Sequence, residues 1–519
     1  MMHTDNSTTA ITATLPRPWQ EDVSFSDILH DWMSRAPWLA ISAAGHLIAF
    51  LILAMIPWEL FQQPEEASII AKIQQVPEQV FEDPPVEPES LPEEEPTEEP
   101  VLMEAEVSDH DETADTLDSD TSANESEFVS DFPFEDLGSN EVIGIGGGAG
   151  PKGGDRGTGR KRLRRENGKD VAKALEDGLE WLKRHQSADG SWNCDEFMHD
   201  SVGCTGECTG AGESSHDVGM TGLALLAFMG DGNTTRDGAY REEVAKGIRW
   251  LQDQQDPDTG LLGERIGHSF LYDHGIGALA LAEAYYFSKN PLLRTTAQKA
   301  ISFVTTARNP YGAWRYDVPP RGDNDTSVTG WMVFALKSAE EGGLQIDPAA
   351  YADSLRWFDE VTDPATGRTG YASIGEPSSR IAGVNDHYPA DKGEAMTAVA
   401  LLCRFFLGQD PKDVPIMEQQ ADLLARRLPE WDPDGFGCDM YYWYYGSYAM
   451  YQMGGSHWKA WRSAMEKALL PAQRQDGDFA GSWDPVGPWG FSGGRVYSTA
   501  LMVLSLEVYY RYARVLGAR

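Results

Sequence analysis

A short motif recurs six times between residue 168 and the C-terminus, and this repetition constrains the fold. The motif is clearest at residues 179–192, where an amphipathic stretch leads through Gln186 to a turn containing Gly190 and Trp192. Repeats of this kind bury their apolar faces only against their neighbours, so several copies must stack to form one core. The other copies begin near Ile248, Ile301, Leu355, Leu423 and Leu469.

Every copy predicts two helices of different character. The first is amphipathic and ends in a turn rich in Gly and Asp, whereas the second is apolar nearly all round, as at residues 221–228 and 275–282. A helix that is apolar on all sides must be buried. Six buried helices inside six amphipathic ones predict an all-α fold over residues 168–519, an (α/α)6 toroid of six helical hairpins.

The motif resembles a signature of a known superfamily. Gln186-x-x-x-Gly190-x-Trp192 is similar to the QW motif of terpene cyclases, and the other copies match it in part. The chain is therefore identified as resembling the prenyltransferase and squalene-cyclase repeat superfamily, the terpenoid cyclase toroids. It looks most like the membrane-tethered members found in planctomycete-type bacteria.

Five aspartates stand at the starts of predicted inner helices. An aspartate in this position caps the helix N-terminus, and because the inner helices run in one direction, the carboxylates would gather at one mouth of the toroid. His216 and His274 adjoin them. In the resembling enzymes this mouth carries the catalytic acid or the zinc, so capping alone and capping with ligand contact are both open. The aspartates are Asp217, Asp273, Asp325, Asp391 and Asp439.

The segment 322–331 departs from both enzyme motifs of the superfamily. Aligned on the Asp-x-Asp-Asp-Thr motif of class II terpene cyclases, it has Asn324 at the catalytic acid, and an amide cannot donate a strongly acidic proton. Asp323 and Asp325 remain as candidate catalytic acids. Aligned on the prenyltransferase zinc motif, Ser327 replaces the cysteine ligand, and a catalytic zinc needs three protein ligands. We therefore expect no zinc and no other cofactor.

Aromatic residues crowd the fifth predicted inner helix. Residues 441–445 are five successive large aromatics, which wrap around a helix so that some must face the barrel interior. Such a lining suits an apolar or isoprenoid ligand, and an aromatic plug that fills a narrow barrel accounts for it equally well. The candidate ligand-binding aromatics are Trp331, Tyr442, Trp443, Tyr445, Trp489 and Tyr497.

Cys194, Cys204, Cys208 and His216 lie in one long loop between the first two predicted helices. The Cys-x-x-x-Cys spacing with a nearby histidine permits a metal site. A disulfide among the three cysteines is favoured in an oxidising compartment, and free thiols are the third alternative.

Residues 36–58 predict one membrane-spanning helix after a cytoplasmic tail of residues 1–35. This stretch contains no Asp, Glu, Lys or Arg and is long enough to cross a bilayer as a helix. Arg17 and Arg35 precede it and only Lys72 follows nearby, a bias that places the N-terminus in the cytoplasm. We expect a single-pass protein of the inner (cytoplasmic) membrane with a periplasmic toroid.

Ser42 and His46 are four residues apart and share one face of the predicted span. This arrangement resembles the anchor of TonB-type energy-transducing proteins, which also carry a proline- and glutamate-rich spacer after the span. The resemblance implies a proton-channel complex as membrane partner, with His46 needed for coupling. The other reading is a lone histidine tolerated by snorkelling or helix pairing.

Residues 59–143 predict an acidic, proline-rich disordered spacer, and residues 144–167 a Gly-rich, basic hinge. Between residues 59 and 136 the chain has 26 acidic residues, nine prolines and one lysine, a composition that cannot offset the entropy of ordering. The net charge of −40 argues against nucleic acid as a partner.

These features predict a membrane-anchored periplasmic toroid that binds an apolar, isoprenoid-like ligand or a protein partner without standard cyclase chemistry. The alternative is a class II, squalene-type terpene cyclase or a related lipid-modifying enzyme. In that case Asp323 or Asp325 would supply the proton.

Overall fold

The computed structural model of the protein describes residues 46–47, 168–201, 203–378, 384, 388, 393–432 and 437–511. The chain divides into two units, Met1–Ser119 and Asp120–Arg519. Of the first unit the described residues are His46 and Leu47, which are helical and exposed. Ser42, the rest of the predicted span over 36–58, the spacer and the hinge lie outside the described residues.

The search for a membrane span reached only the described part of the chain. There, no helix is both long enough and apolar enough to cross a bilayer. The span over residues 36–58, the proton-channel partner and the periplasmic location stay predictions from the sequence.

The second unit is all-α in its described part and resembles an α/α toroid. Twelve described helices of ten or more residues alternate between an outer and an inner layer, the odd-numbered ones outside and the even-numbered ones inside. In chain order they are α1 Lys169–Arg184, α2 Asp217–Gly230, α3 Arg241–Asp253, α4 Phe270–Ser288, α5 Pro291–Thr306, α6 Thr326–Gly342, α7 Ala349–Val361, α8 Ala395–Phe406, α9 Ile416–Ala425, α10 Met440–Met453, α11 Gly455–Ala472 and α12 Gly490–Leu506. Short helical turns at Phe197–Asp200, Ser214–His216, Gly477–Phe479 and Glu507–Tyr509 complete the described helices.

The inner helices form a closed ring. Each packs against the next, from α2 through α4, α6, α8 and α10 to α12, and α12 packs back against α2. The outer layer closes at the same place, because α11 contacts α1, and α12 of the inner layer contacts α1 as well. The last hairpin therefore lies directly beside the first, and the described helices form a continuous ring.

The two layers differ in burial as the sequence predicts. Every residue of α2 after Asp217 is buried, whereas α1 buries one face that includes Leu175, Trp181 and Leu182 and leaves charged residues on the other. The inner helices begin within four residues of the predicted positions. Apolar side chains on all sides of a helix thus mark the inner layer.

The QW residues join neighbouring outer helices. The side-chain amide of Gln186 donates to the carbonyl oxygens of Gly190 and, on α3, of Glu243, both at 2.9 Å. The indole N–H of Trp192 donates at 2.7 Å to the Leu182 carbonyl in the last turn of α1, which also accepts from the backbone N–H of His185. Equivalent glutamine bonds run from Gln255 to Thr296 on α5 and from Gln473 to Ala174 on α1.

The glycine of the motif is required by close packing and by its backbone conformation. Gly190 has a φ of +103°, and a Cβ there would lie 2.6 Å from the carbonyl oxygen of Lys246 on α3. Only glycine combines that dihedral with so close an approach. The motif is therefore a structural contact between successive hairpins.

Candidate functional site

A cavity of about 420 Å³ lies at the N-terminal ends of the inner helices. All six inner helices contribute to its wall, so it occupies the mouth at which the sequence predicts the functional groups. This volume is within the usual range for small-molecule sites. The contributing side chains of the six helices include Met220, Asp273, Ser327, Met396, Tyr441 and Tyr497.

Most of the cavity wall is aromatic or aliphatic. Of the predicted ligand-binding aromatics, Trp331, Trp489 and Tyr497 line it, and so do one further tyrosine of the predicted aromatic run and three tyrosines that sequence reasoning missed. Aromatic faces accept apolar groups and cations, so this wall suits an apolar ligand. The four additional residues are Tyr272, Tyr316, Tyr371 and Tyr441.

Asp325 lies behind this wall and is fully buried. It is the N-cap of α6, with one carboxylate oxygen accepting from the Val328 N–H and from the Ser327 hydroxyl, each at 2.8 Å. The Tyr371 hydroxyl donates to the other oxygen at 3.4 Å. The predicted cap is therefore confirmed, and the same carboxylate also contacts groups that line the cavity.

Two hydroxyl chains connect Asp325 to the cavity. In one, the Tyr272 hydroxyl and the Ser327 hydroxyl are 2.5 Å apart, and Ser327 donates to Asp325. In the other, Tyr316 is hydrogen-bonded to Tyr371, which donates to Asp325. Both chains end on hydroxyls in the cavity wall, so a proton on Asp325 has two hydrogen-bonded routes to the cavity.

Burial raises the pKa of Asp325 to about 6, and hydrogen bonds from Val328 and Ser327 oppose the rise. A carboxyl group in that range can hold a proton close to neutral pH and can also release it. Burial also raises the pKa of Tyr371, which stays a neutral hydroxyl donor.

Asp323 and Asn324 do not face the cavity. The Asp323 side chain is 52 % exposed and is paired with Arg315 at 2.9 Å. The Asn324 side-chain oxygen accepts from the amide of Asn309 at 2.7 Å and from the Ala313 N–H at 3.0 Å. The hydrogen bonds of Asn324 to Asn309 and Ala313 hold this loop in place, and the side chain of the candidate acid Asp323 is directed to solvent.

His216 and Asp273 form a pair in the cavity wall, with Glu213 beside them. The His216 Nδ1 lies 3.1 Å from an oxygen of Asp273, and its Nε2 lies 3.4 Å from Glu213. Burial acts to lower the pKa of His216. The hydrogen bonds and charges of Asp273 and Glu213 outweigh this effect, so the pKa of His216 is raised. Burial raises the pKa of Asp273, and the hydrogen bond from His216 opposes that rise.

The other predicted aspartates have structural partners. Asp439 caps α10 by accepting from the Tyr442 N–H at 3.0 Å, as predicted. Asp217 does not cap α2, and instead accepts from the Cys194 N–H at 2.7 Å, while burial raises its pKa to about 6. Asp273 lies inside the first turn of α4, which begins at Phe270, so capping is wrong for it too. Asp391 lies outside the described residues.

His274 is a buried structural histidine that faces away from the cavity. Its Nδ1 accepts from the Leu262 N–H at 3.1 Å, and its Nε2 lies 3.0 Å from the carbonyl oxygen of Ala300. Burial lowers its pKa to about 4, so the ring is neutral. The imidazole joins α4 to its outer neighbours and does not contact the cavity.

The aromatic run on α10 divides between the cavity and the core. Tyr441 lines the cavity, whereas Tyr445 packs behind the wall against Trp331, with ring centroids 5.5 Å apart. Tyr442 and Trp443 instead border a second pocket of about 490 Å³, near the end of α9. The helix twist sends successive side chains to different neighbours, so both alternatives for this run hold in part.

One curated relative matches part of the chain. It is a squalene–hopene cyclase of Bradyrhizobium diazoefficiens, 28 % identical over 212 residues, which are 38 % of this chain and 30 % of the cyclase. The chain is distantly related to squalene–hopene cyclases. The match spans about a third of the length of the cyclase, and no known family model matches the sequence.

Solved structures similar to this chain include several α/α toroids. A type II terpene cyclase from Scytonema, in complex with geranylgeranyl dihydroxybenzoate, is 16 % identical with a TM-score of 0.41, covering 66 % of this chain and 97 % of the other. A cellobiose 2-epimerase from Bacillus thermoamylovorans is 13 % identical with a TM-score of 0.45, covering 65 % and 98 %. An α-1,6-mannanase from Salegentibacter is 11 % identical, with the same TM-score and coverages.

The cysteine-rich loop between α1 and α2 contains free thiols. The Cys194 thiol lies 3.3 Å from the Ser492 carbonyl oxygen, and the Cys204 thiol lies 3.3 Å from the Asp478 carboxylate. Cys208 lies against the Asp478 carbonyl oxygen, and burial raises its pKa to about 11. No disulfide joins these cysteines, and among the described residues no group of three side chains is placed to hold a metal ion.

The sequence offers only weak indications that the missed residues lie at the cavity. Tyr272 directly precedes Asp273, and Tyr316 follows the repeat tryptophan Trp314 by two residues, so both stand at the predicted mouth. Glu213 stands three residues before His216. Tyr371 gives no signal of its own, since its loop position is set by a backbone hydrogen bond from Thr326 to its carbonyl.

Proposed function

We propose that the toroid binds an apolar, isoprenoid-like molecule in the cavity at the N-terminal ends of its inner helices. The observation that carries the proposal is the wall of aromatic and aliphatic side chains around a cavity of about 420 Å³. Removing apolar surface from water against such a wall supplies the main favourable term for an apolar ligand. Distant relation to squalene–hopene cyclases supports an isoprenoid in particular.

The binding proposal does not include the standard cyclase acid. Asn324 has no acidic proton, and it uses its side-chain oxygen to hold the backbone of Ala313. Asp323 points to solvent and pairs with Arg315. A protein that presents neither group to its cavity is suited to holding an apolar molecule, or to recognising a partner that carries one.

The test is mass spectrometry of an organic extract of the purified full-length protein. We expect a stoichiometric isoprenoid-like lipid in the wild type and its loss in Leu223→Trp, because Leu223 lines the cavity and an indole would fill it. The matched control is Leu292→Trp, since Leu292 lies on an outer helix and is 80 % exposed. A wild-type extract without lipid, or lipid retained by Leu223→Trp, would contradict the proposal.

A second candidate function is acid-initiated cyclisation of an isoprenoid with Asp325 as the proton source. The observation that favours it is the pair of hydroxyl chains that join the buried Asp325 to the cavity wall. In this mechanism the protonated Asp325 carboxyl donates to Tyr371, Tyr371 passes its own hydroxyl proton to Tyr316, and Tyr316 transfers its proton to an alkene carbon. The cyclised carbocation then loses a proton from carbon, and this proton returns through the same hydroxyls to the Asp325 carboxylate. The carboxylate stays buried throughout.

Incubating the purified protein with squalene, the substrate named for its curated relative, tests this second function. Cyclised product is expected from the wild type and from Asp323→Asn, and none from Asp325→Asn, which keeps the capping geometry but cannot supply the proton. Equal product from all three proteins, or no product from any, would rule out Asp325 as the acid for this substrate.

A further inference from the structure

One side of the cavity is polar, in contrast to its aromatic remainder. Glu213, His216 and Asp273 line this side together, with the imidazole between the two carboxylates. Both ring nitrogens of His216 therefore face a carboxylate. Outside this cluster the cavity wall is mainly apolar, so any polar part of a ligand would be drawn to this side.

The three side chains are held in place by different elements. Asp273 is on α4, and its carboxylate lies against Gly219 of α2, where a Cβ would come within 2.3 Å of an oxygen. The Glu213 backbone N–H donates to the carbonyl oxygen of Ser492 on α12 at 2.7 Å. Three inner helices thus converge on the cluster, and Gly219 leaves the space that the Asp273 carboxylate occupies.

The charge of the cluster is negative. Two carboxylates share one imidazole, so with both carboxylates ionised one negative charge remains even when His216 is protonated. Burial raises the pKa of Asp217, and Asp273 lies close enough that its charge raises this pKa further. Among the described residues that line the cavity there is no lysine or arginine to balance the negative charge of the cluster.

The aromatic wall acts in the same sense as the cluster. The faces of Trp331, Trp489 and the cavity tyrosines carry partial negative charge and attract cations. A phosphate or carboxylate end group would meet repulsion from Glu213 and Asp273, whereas an ammonium would gain contacts with both the carboxylates and the rings.

We infer that the ligand of this cavity is an amphiphile with a cationic, ammonium-type end, seated at Glu213, His216 and Asp273, and with its apolar chain between the aromatic walls. The inference rests on the proposed binding of an apolar molecule and adds the charge of its polar end. It separates this cavity from sites built for prenyl diphosphates, whose polar end is strongly anionic.

Calorimetric titration of the full-length protein with three probes of equal chain length tests the inference. The probes are decylamine, decanol and decanoate, each below the concentration at which it self-associates. We expect decylamine to bind at least about tenfold more tightly than decanol, the effect of about one favourable charge contact, and decanoate to bind more weakly than decanol. Because the whole chain carries a net charge of −40, amine binding that persists in Leu223→Trp is subtracted as nonspecific.

Substitutions at Glu213 and Asp273 test whether these two carboxylates cause the preference for decylamine. In Glu213→Gln the preference for decylamine over decanol is expected to fall severalfold, and in Asp273→Asn, which keeps the shape of the side chain, it is expected to fall similarly. Glu196→Gln is the matched control, since Glu196 is exposed and does not line the cavity, and it should keep the wild-type preference.

The outcomes separate this inference from the proposed function. Decanol bound as tightly as decylamine, or decanoate bound most tightly of the three, would overturn the cationic end and leave apolar binding standing. If no probe shows binding that Leu223→Trp removes, apolar binding in this cavity fails as well. A preference for the amine that survives both Glu213→Gln and Asp273→Asn would also overturn the assignment to this cluster.

Discussion

At the scale of single residues, aspartates at equivalent repeat positions have different roles. Asp325 and Asp439 cap their helices, whereas Asp217 holds a loop N–H and Asp273 pairs with a histidine. The residue type alone predicts a cap, because a short carboxylate reaches the free N–H groups of a helix start. Its actual partner depends on what the neighbouring hairpin presents, so the repeat does not determine the role.

Asp325 gives the first prediction at this scale, a stability that depends on pH. Its pKa is raised from 3.8 to about 6 in the folded state, so the folded protein binds the proton more tightly than the unfolded chain. Proton binding by Asp325 therefore stabilises the folded protein. This contribution is fully present below the pKa of Asp325 in the unfolded chain, and it is lost as pH rises through the pKa of Asp325 in the folded state. Relative to Asp325→Asn, the wild type should lose up to about 3 kcal/mol between pH 4 and pH 7.

Denaturant titrations of both proteins across that pH range measure this difference. Asn caps a helix nearly as well as Asp, so the variant is expected to fold. Asp323→Asn is the control, because Asp323 is 52 % exposed, and its difference from the wild type should change little with pH. A constant gap between wild type and Asp325→Asn at all pH values would show that the buried carboxyl has an ordinary pKa.

At the scale of the helical hairpin, the QW residues are structural. The glutamine joins one outer helix to the next, and the tryptophan indole N–H donates to the last turn of the preceding outer helix. A threonine of the inner helix accepts from the backbone N–H of the tryptophan. This last contact recurs: Thr221, Thr329 and Thr499 accept from Trp192, Trp314 and Trp483. The repeat motif therefore encodes the joint between hairpins, while the cavity is built from residues that differ between repeats.

At the scale of the whole molecule, closure of the ring places the first and last hairpins in contact. Gln473 follows α11 and donates to the carbonyl oxygens of Ala174 on α1, at 2.8 Å, and of Gly481, at 2.9 Å. Residues almost 300 positions apart in sequence thus make the same contact that adjacent repeats make elsewhere. The cavity needs this closure, because α12 and α2 both contribute to its wall.

Because Gln473 joins the last hairpin to the first, its removal is expected to lower the free energy of unfolding. Gln473→Ala leaves two buried carbonyl groups without this donor, which costs about 1–3 kcal/mol of unfolding free energy. Gln186→Ala should cost a similar amount, since Gln186 makes the equivalent contacts between adjacent hairpins. Chemical denaturation of both variants measures the two values.

Gln475→Ala is the matched control for this experiment. Gln475 is exposed and contacts the carbonyl of Gln473 within its own turn, so its loss should cost less than about 0.5 kcal/mol. If Gln473→Ala were no more costly than Gln475→Ala, the last hairpin would not be fastened to the first as described.

The sequence by itself determined the number, order and layering of the helices. Recurrence of the Gln186–Trp192 motif sets the repeat, and apolar residues all round α2 and α4 place those helices inside. These are local signals, because hydrophobic periodicity and turn residues act within one hairpin. The start of each inner helix, and therefore the mouth of the toroid, follows from the same signals.

Only the tertiary structure decided which side chains face the cavity. Tyr441 lines it and Tyr442 does not, although the two are adjacent, because the rotation of α10 is fixed by its packing against α8 and α12. The Asp325 carboxylate meets Tyr371 because a backbone bond from Thr326 to the Tyr371 carbonyl draws a loop 46 residues away against α6. Such contacts depend on how separate hairpins pack, and no pattern within one repeat records that packing.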